Sequence, residues 1–155
     1  MATLHDIQIA MRKHLLADPW FSNIPVITQN EGDIDTLIKQ KISRLGIACL
    51  IILEEATQEE PAQTGPYFDQ VKYAVEVSEQ VTINRGSSGT RKPMLDVCER
   101  VARRLHQFQF TPGKMLYITK PSIVPTEPPP PATSAYYVRF ETSDGVDLAE
   151  NNQEQ

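Results

Sequence analysis

The sequence predicts an α+β fold: a mixed or antiparallel β-sheet, amphipathic helices packed mainly on one face, and an extended, hairpin-like strand. Three observations carry this. Apolar residues recur at helical spacing in three separate segments, and "VKYAVEVSEQVTIN" (Val71–Asn84) alternates apolar and polar residues with a period of two. Two further strand-like runs then follow one another near the C-terminus with no helix between them, the order of an α+β layer.

With 155 residues the chain suits one domain able to close a core of its own. We place that domain at residues 2–143, with 144–155 as a flexible acidic tail. A net charge of −5 argues against a general nucleic-acid binder, which needs a basic face. No apolar run approaches the ~20 residues of a membrane span. The opening "MATLHDIQIAMRKHLL" interleaves charges with apolar residues, so it does not read as a secretory leader.

The first helix is expected after Thr3, which can share a capping box with Asp6; Leu4, Ile7, Met11, His14 and Leu15 form its stripe. Asp18 and Pro19 stop it. "WFSNIPVITQ" contains Pro25, which lacks a donor, so it reads as a short edge strand or a crossing segment. A second helix follows with Asp33 as cap, Ile34, Leu37, Ile38, Ile42 and Leu45 as stripe, and Gly46 as stop. "IACLIILEEA" is apolar on both parities, as a strand buried on both faces would be. "TQEEPAQTGP" is a polar loop.

After the long strand, "RGSSGTRKP" reads as a mobile connection into a third helix. The stripe of that helix is Met94, Leu95, Cys98, Val101, Ala102, Leu105 and Phe108, with Arg100, Arg103 and Arg104 pointing away. "KMLYITKPSIVP" and "AYYVRFET" are strands. The proline-rich loop 125–134 between them has four consecutive prolines and reads as a stiff polyproline II arm.

No catalytic set is visible, and an enzyme is not expected. His5, His14 and His106 lie apart, without metal-ligand spacing. Glu54, Glu55, Glu59 and Glu60 lack the alternation and turn glycine of a calcium loop. Cys49 and Cys98 sit at apolar positions and read as small buried hydrophobes. No cofactor and no metal site is expected. The loop "GSSGTRK" has hydroxyls, glycines and two cations before a helix, so a phosphate site using Arg91 and Lys92 is one reading of it. It departs from the phosphate-loop motif, and a plain connecting loop is the other reading.

The long strand raises its own question. From Val71 to Ile83 it would span roughly 43 Å at about 3.3 Å per residue, against a diameter near ~40 Å for a domain this size. Either a bulge near Glu79 curls it over its own domain, or Val81 and Ile83 continue outside the body and are buried by a neighbouring chain. The second reading places a subunit interface at Glu79, Val81, Ile83, Arg85, Ser87, Ser88, Arg91 and Lys92. A rigid proline arm would also suit reaching toward a partner.

The order of an opening amphipathic helix, "IACLIILEEA", "YFDQVKYAVEVSEQVTINR", "PMLDVCERVARRLHQF" and a closing strand pair resembles the tail terminator (tail completion) proteins of tailed bacteriophages. The resemblance covers residues 2–143 and lies in architecture, without a signature motif. It implies a virion protein of the tail or neck, assembled in the host cytoplasm. There it would form a homo-oligomeric ring, hexameric in the family, that caps the tail tube protein and meets the head-side connector. In contractile tails it would also hold the sheath, and DNA would pass through the channel without sequence-specific binding. The alternatives are a head–tail connector or stopper subunit, or a small phosphate- or ligand-binding regulatory domain.

Overall fold

Thr3 opens α1 (Leu4–Leu16) with a complete capping box: its hydroxyl accepts the Asp6 N–H, and the Asp6 carboxylate accepts the Thr3 N–H. The computed structural model describes residues 3–57, 67–68, 70–142 and 146–147. Asp18 then caps a single 3-10 turn, Pro19–Phe21, that leads into β1 (Val26–Thr28). Asp33 caps α2 (Ile34–Leu45), and Gly46 ends it in the left-handed region at φ +79°. Next come β2 (Ile47–Thr57), β3 (Tyr67–Phe68) and β4 (Gln70–Glu79). A one-turn helix α3 (Val81–Asn84), then α4 (Met94–Leu105), β5 (Gln109–Thr111), β6 (Lys114–Thr126), β7 (Ser134–Thr142) and β8 (Val146–Asp147) complete the chain.

Six strands form one sheet in the order β1-β2-β4-β7-β6-β5, antiparallel except for the β1–β2 pair. The fold is thus α+β with a mixed sheet, and β2 and β4 make its long hairpin, paired from Ile47–Glu79 to Thr57–Gln70. On one face α1 and α4 bury Ile7, Met11, Leu15, Val97, Cys98, Val101 and Leu105 against Cys49, Ile51, Tyr73, Val75, Val77, Val138 and Phe140. The Tyr73 hydroxyl donates to the Leu4 carbonyl, and burial holds its pKa well above the ordinary phenol value. On the other face α2 packs Ile38 and Ile42 over Ile27 and Ala48, covering one end of the sheet.

Both sheet edges are guarded. At β1, Arg12 donates to the Val26 carbonyl and the Glu31 carboxylate accepts the Thr28 N–H. At β6, Pro121 and Pro125 offer no N–H to a further strand.

Four expectations need correction. The long strand stops at Glu79 and does not run to Ile83. Its neighbours end there too, with Ile47 and Ser134 opposite Glu79, so no ladder partner exists beyond it. The Gln80 N–H goes to the Gly46 carbonyl, its side chain caps α3, and the backbone finds its hydrogen bonds in a helical turn. Glu79 does not lie at an accessible subunit interface either: it is 1 % exposed.

The proline arm is the third correction. It folds back: Ala132 N–H bonds to the Pro129 carbonyl, Thr133 bonds to the Glu79 carbonyl, and Ala132 packs with the α2 cluster. Fourth, Leu95 is 53 % exposed, and Val97 takes its place in the buried stripe of α4. The loop expected at 57–66 lies outside the described residues except for Thr57, which ends β2. Of the expected tail, Val146 and Asp147 pair with Phe68 and Tyr67, and the rest lies outside the described residues.

Candidate functional site

The connection from Glu79 to Pro93, of which Arg85–Pro93 reads from sequence as mobile, is built around one buried amide. Asn84 is 0 % exposed. Its amide nitrogen donates to Glu79 Oε2 at 2.5 Å and to the Lys92 carbonyl at 2.8 Å, and its Oδ1 accepts the Thr90 hydroxyl. The backbone carbonyl of Asn84 accepts the Arg91 N–H at 2.7 Å. Arg85 closes the network with a two-pronged pair to Glu79, Nε at 3.2 Å and Nη2 at 3.3 Å. A buried carboxylate needs such partners, because an unpaired one would cost several kcal/mol.

This geometry distributes the expected interface residues. Glu79 is consumed inside the molecule, and Arg85 is half-engaged by it. Val81, Ser87, Ser88 and Arg91 lie on the surface, and Ile83 is half-buried. Lys92 turns away: its ammonium bonds to the Trp20 carbonyl and Asn23 Oδ1 and lies 4.7 Å from the Trp20 ring centroid. A phosphate cradle built on both Arg91 and Lys92 therefore loses its second cation to the protein itself.

The structure adds cations that the sequence reading missed. Gly46 at the end of α2 touches the backbone of Asn84, which brings α2 beside the loop. Lys39, Lys41 and Arg44 of α2 make no ion pair among the described residues. Lys41 and Arg44 lie in the C-terminal half of the helix, the end that meets the loop carrying Arg85 and Arg91, while Lys39 lines a cleft with Glu76 on the second face of the sheet. The signal was present as three cations off the apolar stripe of one helix. Only packing against the loop makes it a surface.

The opposite end differs. β2 bulges at Glu54, and β6 carries extra residues between Ile118 and Ile123. Between the two irregularities lies a cleft of about 460 Å³ lined by Glu54, Glu55, Lys72, Lys120, Arg139 and Glu141, among others. Arg139 pairs with Glu54 and Lys72 with Glu55. The segments continuing from this end carry Glu59, Glu60, Asp144, Glu150 and Glu154 in the sequence.

The histidines have structural partners: His5 with Asn30, His14 stacked on Phe108 at 4.2 Å, and His106 accepting the Ile118 N–H. Cys49 and Cys98 are free and buried, and burial pushes the Cys98 thiol up to about 12. Among the described residues no group of three or more His, Cys, Asp or Glu could hold a metal ion. No helix among them is long and apolar enough to cross a membrane.

Arg100 and Arg104, expected to point outward, instead reach Asp18, with Arg100 Nε at 2.8 Å from the carboxylate. Arg100's hydrogen bond, then the Trp20 N–H, hold the Asp18 carboxyl below its ordinary value. A depressed folded pKa contributes stability that is present above the unfolded value near ~3.9 and lost as pH falls through the folded one. The urea midpoint should therefore hold from neutral pH to about pH 5 and fall below about pH 4. Asp18→Asn should flatten part of that acid limb; an unchanged limb would show that the pair contributes nothing.

Neither a scan against protein-family models nor a search of curated proteins returned a match to this chain.

Proposed function

We propose that the protein is a structural assembly subunit of the phage tail terminator type, joining copies of itself into a ring at the end of a tail tube. One observation carries the reading: the sheet has chemically unlike ends. One end carries Lys41, Arg44, Arg85 and Arg91, and the other carries a cleft of mixed charge in which Glu54, Glu55 and Glu141 lie among Lys72, Lys120 and Arg139. A ring needs a heterologous contact, in which one surface meets a different one on the next copy. A basic surface meeting the carboxylates of a mixed one favours that orientation over two basic ends meeting. The guarded edges of the sheet direct association toward its ends. The element order that resembles the tail terminators gives the ring its place, against the tube on one side and the head-side connector on the other.

Light scattering and negative-stain imaging, alone and with tail tubes, test this. The expected result is a closed oligomer that caps tube ends and loosens with salt. Lys41→Glu with Arg44→Glu should weaken association about tenfold or more while leaving circular dichroism unchanged. A strict monomer that ignores tubes would overturn the reading. Binding to connectors but not to tubes would turn it toward a stopper subunit.

A further inference from the structure

The negative charge of the chain is concentrated in one place. Residues 143–155 carry Asp144, Asp147, Glu150 and Glu154 and no lysine or arginine, so four of the net five negative charges lie there and residues 1–142 are left with −1. β8 ties the start of this segment to one end of the sheet: Asp147 pairs with Tyr67, three residues before β4 begins at Gln70. Residues 148–155 follow, outside the described residues. At the other end of β4, beyond Glu79, stand Lys41 and Arg44 of α2 with Arg85 and Arg91 of the loop. Glu79 engages Arg85, whereas Lys41, Arg44 and Arg91 have no ion-pair partner among the described residues.

Length decides whether the acidic segment can answer those cations within its own subunit. β4 spans about 30 Å from Gln70 to Glu79 at about 3.3 Å per residue. From Asp147 to Glu154 an extended chain reaches at most about 25 Å, and Glu150 falls much shorter. α2 also lies across the sheet from the face on which Phe68 packs, which lengthens the path. We propose that residues 148–155 lie on the basic end of a neighbouring copy, with Glu150 and Glu154 against Lys41, Arg44 and Arg91. This rests on the head-to-tail contact argued above and names what crosses it. There the end that carries β8 faces the basic end of the next copy, so the segment has only the gap between subunits to cover. Exposed ion pairs are individually weak and screened by salt. Anchoring by β8 offsets that weakness, because a tethered segment beside its site acts at an effective concentration of about millimolar.

The test compares the full chain with Glu150→Gln/Glu154→Gln by sedimentation at low and high salt. Circular dichroism should not change, association should weaken roughly three- to tenfold at low salt, and the difference should vanish at high salt. A chain with Lys41→Glu and Arg44→Glu should regain association when Glu150→Lys and Glu154→Lys are added to it. Association indifferent to the charge of the segment, or no such regain, would overturn the proposal and leave the ring reading standing. If the unaltered chain stays monomeric, the ring reading fails, and a synthetic peptide of residues 143–155 decides the part of the segment. By NMR that peptide should shift the Lys41, Arg44 and Arg91 amides saturably, and its counterpart with amides for carboxylates should not; no shift would overturn the proposal. Shifts that Glu150→Gln/Glu154→Gln causes at those amides in a dilute monomer would place the segment on its own subunit, and would overturn it too.

Discussion

Asn84→Leu is expected to destabilise the fold by about 4 kcal/mol, the sum of two or three lost hydrogen bonds whose partners stay buried. The substitution keeps approximate volume and removes the donor to Glu79, the donor to the Lys92 carbonyl and the acceptor of the Thr90 hydroxyl. Glu79 keeps Arg85, but Arg85 is half-exposed and holds its partner from one side. Urea unfolding followed by far-UV circular dichroism reads the loss. Thr90→Val, which removes one bond of the set, should cost about 1–2 kcal/mol. A loss under about 1 kcal/mol for Asn84→Leu would mean that water replaces the amide, and that the loop is not pinned from within.

Gly46→Ala should cost at least about 3 kcal/mol, because two penalties coincide. The residue has φ +79°, which an L side chain adopts at a cost of roughly 1–2 kcal/mol. A Cβ there would also lie 2.1 Å from the Asn84 nitrogen and 2.6 Å from its Cα, backbone atoms that cannot swing aside. Gly113 provides the control: its φ is +80°, yet nothing lies within 4 Å of the added carbon. Gly113→Ala should therefore show the backbone penalty alone, about 1–2 kcal/mol. At about 2–4 °C per kcal/mol for a chain of this size, the Gly46 variant should melt on the order of 10 °C lower. Equal losses at the two glycines would remove the close approach of α2 to the loop as a structural constraint.

Both predictions concern the same junction, and it is where reading from sequence failed. Val81 and Ile83 continue the alternation of β4, so by pattern alone the strand has no reason to stop. What stops it is the end of its neighbours: Ile47 begins β2 and Ser134 begins β7, both opposite Glu79. A period of two says which side chains share a face, but it carries no information about how far the adjacent strands reach. The same holds for "PPPP", whose stiffness is local, while the docking of the adjoining Ala132 on the cluster of Ile38 and Ala48 depends on α2 arriving from another part of the chain.

Local chemistry settled the rest. The Thr3–Asp6 box, Asp33 with Gly46 around α2, the buried Ile7, Met11, Leu15, Ile38 and Ile42 and the strand identities of β2, β6 and β7 follow from caps and periodicity, which act within a few residues. Tertiary packing alone decided the burial of Glu79 with Asn84, the capture of Lys92 by Trp20 and the bridge from Arg100 to Asp18. Each joins side chains from different elements. A hydrogen bond or an ion pair depends on distance in space, and separation along the chain leaves that distance open until the sheet is assembled.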